Sequence, residues 1–220
     1  VFFSTYNGSL YALDYRGELV NGWPKKISLP IYAKGFNGAR IGDIDNDSKL
    51  EIAIGSISSD YILSTKDCIY LFNLSADLIA GWPRCTNDDP SYRSKYGHIS
   101  FREDDSYISF ANIDGITGDE IILTPGRVTF LGYSSSWLSA FHNNGSFVKG
   151  FPKLMPALGG EHSAVASVGD LDGDGKSDLI LLDFNNPFYV YAWDLNSEAG
   201  KDRWPMYQHD AQHTGCADCV

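Results

Sequence analysis

No stretch of the sequence approaches 18 consecutive apolar residues, so no membrane-spanning helix is expected. Basic residues are scarce and scattered: 17 Lys and Arg stand against 28 Asp and Glu, a net charge of −11. A nucleic-acid partner requires clustered cations to meet its phosphates, and none is expected here; acidic patches attract cations instead. No P-loop, Gly-x-Ser-x-Gly nucleophile elbow or dinucleotide fingerprint occurs, which removes the commonest enzymatic signatures. The opening residues, Val1-Phe2-Phe3-Ser4-Thr5, offer neither an initiator Met nor a signal-peptide layout, so the chain reads as a processed or truncated piece.

What is present points to β-structure. The 220 residues are 43% hydrophobic, enough to bury a full core in one large domain or one repeat array. Aromatics make up 14% and Gly numbers 22, a combination that favours short strands and tight turns over long helices. The four cysteines, Cys68, Cys85, Cys216 and Cys219, permit two disulfides. Asn-x-Ser sequons at Asn7, Asn46, Asn73 and Asn144 allow glycosylation if the chain is secreted. Asn7-Gly8 and Asn144-Gly145 are also ordinary turn dipeptides.

The decisive signal is an internal repeat. Asp43-Ile-Asp-Asn-Asp-Ser-Lys-Leu-Glu-Ile-Ala-Ile54, Asn112-Ile-Asp-Gly-Ile-Thr-Gly-Asp-Glu-Ile-Ile-Leu123 and Asp170-Leu-Asp-Gly-Asp-Gly-Lys-Ser-Asp-Leu-Ile-Leu181 align without gaps, each an acidic loop entering a short apolar strand. A second shared element is a strand: Leu10-Tyr-Ala-Leu-Asp14, Ile69-Tyr-Leu-Phe-Asn73, Leu138-Ser-Ala-Phe-His142 and Val190-Tyr-Ala-Trp-Asp194. A third follows about ten residues on, at Gly22-Trp23-Pro24, Gly81-Trp82-Pro83, Gly150-Phe151-Pro152 and Arg203-Trp204-Pro205, where Pro marks a strand end because it cannot donate to a ladder.

Each unit therefore reads as four strands: one leading into the acidic loop, one leaving it, one with the aromatic pattern and one at the Trp-Pro. That is a β-propeller blade. The array spans 1–215, with a partial blade at 1–27 and whole blades at 28–85, 86–153 and 154–207, about three and three-quarter blades; 208–220 is a terminal segment. Trp-Pro spacings of 59, 69 and 53 residues put the variation in loops, chiefly 57–67 and 86–106, where recognition usually resides. The first blade lacks its leading strand and acidic loop, which leaves an open edge that preceding chain or a neighbouring copy would fill.

These acidic loops flowing into Leu-Ile-Leu resemble FG-GAP/VCBS repeats, the type found in integrin α-subunit propellers and in many secreted microbial proteins. Trp204-Pro-Met-Tyr-Gln-His-Asp-Ala-Gln-His-Thr-Gly215 is similar to a segment common at the ends of such microbial arrays. The resemblance covers nearly the whole chain. It implies a propeller, calcium in the loops, and a secreted or cell-surface location.

Calcium wants six to eight oxygens, and carboxylates at alternate loop positions can surround one point. Asp170, Asp172, Asp174 and Asp178 hold positions one, three, five and nine, with the Lys176 carbonyl at seven; this loop matches the family pattern fully. Asp43, Asp45, Asp47, the Lys49 carbonyl and Glu51 make a second set, with Ser48 where Gly is usual. A glycan on Asn46 would crowd that loop. The third offers Asn112, Asp114 and Glu120, but Ile116 occupies the fifth position and a hydrocarbon cannot coordinate; either Asp119 swings in or the loop is empty and vestigial. Two calcium sites are thus expected and the third is weak. Their role is structural: bound cations offset the mutual repulsion of the carboxylates, which would otherwise loosen the turns.

Other constellations carry less. His209, Asp210 and His213 lie in the terminal segment with no helix signal to set both histidines on one face. Cys216-Ala-Asp-Cys219 lacks the βαβ context of a redox motif and the second pair of a zinc site, so a local bridge or a cross-link to another chain is expected. Cys68 precedes the third strand and Cys85 follows the fourth strand of one blade, so antiparallel pairing brings them together as a disulfide in an oxidising compartment. Asp88-Asp89 and Asp104-Asp105 read as solvated loop charges. The expectation is a non-enzymatic module for adhesion, recognition or assembly, binding a protein or glycan through its variable loops or a neighbouring copy through the open first blade. The rival is a carbohydrate-active domain, a polysaccharide-lyase-like propeller or a glycan-binding lectin. Acidic balance and the lack of clustered Lys, Arg, His and Tyr weigh against the enzyme, and aromatics at strand spacing belong more often to blade core than to a sugar platform.

Overall fold

The structure is a computed structural model and describes residues 1–5, 7–27, 33–36, 39–58, 68–85, 108–124, 128–130, 133–155, 166–183 and 189–198. These residues are all-β, with no helix among them, and form four antiparallel sheets. The first contains β1 (Phe2–Ser4), β2 (Ser9–Ala12) and β3 (Lys25–Lys26), in that order. The second contains β4 (Ala33–Phe36), β5 (Arg40–Gly42), β6 (Glu51–Ser58), β7 (Cys68–Asn73) and β8 (Arg84–Cys85). The third contains β9 (Ile108–Ala111), β10 (Glu120–Leu123), β11 (Val128–Phe130), β12 (Tyr133–Phe141) and β13 (Lys153–Met155). The fourth contains β14 (Ser167–Gly169), β15 (Lys176–Asp183) and β16 (Tyr189–Glu198).

β4 and β5 pair with successive stretches of β6, Ala33 opposite Ser58 and Arg40 opposite Ala53. β10 and β11 likewise follow one another along β12, Leu123 opposite Ser139 and Val128 opposite Ser135. Each five-strand sheet is therefore four strands wide. The last strand of three sheets starts just past the proline, at Lys25, Arg84 and Lys153 rather than at the Trp-Pro itself, because Pro24, Pro83 and Pro152 have no N–H to enter the ladder. The bonds Trp23-Pro24, Trp82-Pro83 and Phe151-Pro152 are cis.

Period-two alternation sends the two faces of each inner sheet into different cores. Ile52, Ile54, Tyr70 and Phe72 pack with Leu10, Ala12 and Trp23 of the first sheet. Ala53, Ile69 and Leu71 turn the other way, onto Ile108, Phe110, Ile121 and Leu123 of the third. Ile122, Leu138 and Ala140 then meet Val168, Leu179 and Leu181 of the fourth. Four sheets in sequence order thus enclose three apolar layers, and burial of these side chains is the main driving force for stacking.

Polar staples repeat between neighbours. Trp23 donates its indole N–H to the Leu74 carbonyl at 2.8 Å, and Trp82 to the Asn143 carbonyl at 2.6 Å. Buried Arg40 donates to the Ile108 carbonyl at 3.1 Å, and Ser109, its counterpart one unit on, to the Ala166 carbonyl at 2.9 Å. Glycine is required where the turns touch: a Cβ on Gly81 would sit 1.9 Å from the Asn144 oxygen, and one on Gly22 2.4 Å from that of Ser75. A disulfide joins Cys68 to Cys85, residues directly opposite each other on β7 and β8.

Candidate metal centres

Each acidic loop is a bend between two strands: β5 to β6, β9 to β10, and β14 to β15. Its ninth residue opens the outgoing strand at Glu51 and Glu120 and lies two residues inside it at Asp178, and in all three loops that carboxylate accepts the N–H of the second residue. Glu51 Oε2 lies 2.9 Å from Ile44 N, Glu120 Oε2 2.8 Å from Ile113 N and Asp178 Oδ2 2.7 Å from Leu171 N. The loop is thereby pinned at both ends. Earlier side chains fold inward by accepting loop N–H groups: Asp43 from Asp47 and Ser48, and Asp170 from Gly173 and Gly175.

The result brings together residues one, three and nine in two loops. Ligand atoms of Asp43, Asp45 and Glu51 lie within 4.8 Å of one another, as do those of Asp170, Asp172 and Asp178. Asp47 and Asp174 at position five stand apart, each beside a lysine: Lys49 Nζ is 2.7 Å from Asp47 and Lys176 Nζ 3.5 Å from Asp174. That neighbour lowers the Asp47 pKa. Either lysine would have to swing out for the fifth residue to complete an oxygen cage, and both are exposed enough to do so, at 75% and 57%. The donor sets, all hard oxygen, fit a cation of calcium's class.

Electrostatics point the same way. Burial, opposed by the Ile44 hydrogen bond and reinforced by Asp45, Asp47 and Asp43, pushes Glu51 up to about 7. Glu120 is pushed up to about 8, again chiefly by burial. Such groups need a cation or a proton.

The middle loop differs. The Asn112 side chain donates to the Ile116 carbonyl and accepts the Gly115 N–H, so it is turned back on its own loop. Ile116 at the fifth position is 63% exposed. Asp119 is buried, and its N–H donates to the Ile44 carbonyl of the neighbouring loop at 2.7 Å. The residues gathered there are Asp114, Glu120 and His142. His142 was not among the residues singled out from sequence as ligands; the signal was its place at the polar end of the shared strand, where Asp14, Asn73 and Asp194 also stand. Beside this loop opens a cleft of about 660 Å³, lined by Asn46, Asn112, Ile116, Asp119, Asn196 and Glu198 among others.

Loop conformation explains the glycine pattern. Gly173 and Gly175 have φ of 82° and 84°, and Asn46 and Ser48 take the same left-handed region at 61° and 67°. Of the sequons, Asn7 and Asn144 are exposed in turns and Asn73 is half-buried at the end of β7. Cys216, Cys219, His209, Asp210, His213, Trp204 and the loops 59–67 and 86–107 lie outside the described residues. No helix is long and apolar enough to cross a membrane among the described residues.

Comparison with protein-family models, with curated proteins and with solved structures finds no match.

Proposed function

We propose that this chain is a calcium-binding β-propeller array of the FG-GAP/VCBS type, secreted or at the cell surface, serving as a recognition, adhesion or assembly module rather than an enzyme. One observation carries the reading: three loops at equivalent places in successive sheets close through the same ninth-residue carboxylate bond, and two converge three carboxylates on one point. Repeated staples between neighbouring sheets, Trp23 to Leu74 and Trp82 to Asn143, support a constant blade-to-blade relation. Calcium would be held by Asp43, Asp45 and Glu51 in one loop and Asp170, Asp172 and Asp178 in another, with Asp47 and Asp174 joining. Its work is to offset carboxylate repulsion and fix the bends, not to activate a substrate. The Cys68–Cys85 disulfide suits an oxidising compartment, and ligand recognition would fall to the loops between strands.

Native mass spectrometry of the full chain, with and without Asp172→Asn, tests this. Two bound calcium ions falling to one in the variant is the expected result; equal counts would remove the 170–178 loop from the account.

A further inference from the structure

In the first two units the polar residue that closes the shared aromatic segment also closes the turn that follows it. Asp14 Oδ1 accepts the N–H groups of Arg16 and Glu18 at 2.8 and 3.0 Å, and Asn73 Oδ1 accepts that of Asp77 at 2.9 Å. In the third unit that duty passes to Asn144, whose Oδ1 accepts the Ser146 N–H at 2.9 Å. The His142 imidazole faces the acidic loop instead, its Nδ1 3.3 Å from Glu120 Oε1 and 4.0 Å from Asp114 Oδ2.

The same register position thus changes from an oxygen side chain to a nitrogen one in the loop that has lost its calcium pattern. Asn73 stands opposite Glu51 and Asp194 opposite Asp178, whereas His142 follows directly on the pair Ile121–Phe141 and so meets Glu120. Ile116 removes the fifth-position oxygen, and the first-position amide is folded onto Ile116 and Gly115. What remains is one imidazole nitrogen and two carboxylates.

We propose that Asp114, Glu120 and His142 form a binding site for a divalent transition ion of the zinc class, chemically distinct from the oxygen-only loops. One nitrogen and two carboxylates suit a borderline cation of small coordination number, with a fourth position left for water or an incoming ligand. Glu120 is oriented by its second oxygen, which accepts the Ile113 N–H, the kind of outer support that fixes a ligating carboxylate. His142 and Asp114 keep 28% and 19% side-chain exposure, which gives an ion access.

The test uses the full chain, stripped with chelator and returned to excess calcium. Co²⁺ is titrated and followed by its visible absorption, then displaced with Zn²⁺. One Co²⁺ with the intense bands of low coordination is expected, and His142→Asn, the residue the second unit carries at this place, should weaken it at least about tenfold. Asp114→Asn, whose side chain is a milder change, should do the same. Absence of a bound ion, or binding unchanged in both variants, would overturn the proposal and leave His142–Glu120 an ordinary ion pair. Loss of the calcium reading elsewhere in the chain would not alter either outcome.

Discussion

Trp82 donates its indole N–H to the main-chain carbonyl of Asn143, 2.6 Å away in the neighbouring sheet. The ring is buried against Phe141 at a centroid distance of 5.8 Å, so one side chain supplies both apolar contact and a polar staple. Trp82→Phe keeps most of the first and removes the second. Urea unfolding should show a loss of about 1–2 kcal/mol, the effect of an unmet carbonyl plus lost contact. Phe151 already occupies this place in the next unit, so the backbone accepts the change. No loss would mean that the staple contributes nothing to stacking.

Ser48 is exposed and held at φ 67° where the 170 loop has Gly175 at 84°. An L-residue there costs about 1–2 kcal/mol, of which Gly returns part through its greater freedom when unfolded. Ser48→Gly should therefore raise stability by up to about 1 kcal/mol in calcium. A fall would show that the hydroxyl makes a contact that outweighs the strain.

Cys68 and Cys85 close a short loop, with a sequence separation of 17. A cross-link over that span restricts the unfolded chain by about 3 kcal/mol in the loop-entropy account. The double variant Cys68→Ser with Cys85→Ser should lower the urea midpoint accordingly while retaining the sheets. An unchanged midpoint would show that the pairing strands need no bridge.

How much of this was legible beforehand depends on the distance over which each feature acts. The apolar run Ile52-Ala53-Ile54 is local, and it marked the strand leaving the acidic loop; that its two faces enter different cores came only with the stacking of the sheets. The loops were readable because their carboxylates recur within nine residues. The role of Trp82 was not, since its partner lies 61 residues on and only sheet stacking brings them together. His142 escaped for the same reason: its nearness to Glu120 is a cross-strand relation, whereas in sequence it looks like the polar end of an aromatic strand. Between β4 and β5 the sequence carries Asn37-Gly38, and between β10 and β11 Pro125-Gly126, dipeptides that punctuate strands but were not singled out beforehand.

The raised Glu51 and Glu120 carboxyls make the stability of the metal-free protein depend on pH. Without metal, each folded carboxyl holds its proton more tightly than the unfolded chain does. Its stabilising contribution is present below the ordinary value of 4.5 and is lost as pH rises through about 7 for Glu51 and about 8 for Glu120. Chelated protein should therefore melt higher at about pH 5 than at about pH 8. Calcium needs the carboxylate, so binding at the Glu51 loop should release a proton below about 7 and weaken as pH falls. Calorimetric titration in buffers of different ionisation enthalpy checks this, and equal heats in all of them would contradict it.

The most direct test of the account is calorimetric melting of the full chain in calcium and then in excess chelator, with ions counted by native mass spectrometry. A large drop in melting temperature, accompanied by loss of two calcium ions from the loops at 43–51 and 170–178, is the predicted result. The same melting temperature in both conditions, with no ion retained in calcium, would mean that these acidic loops are turns and nothing more.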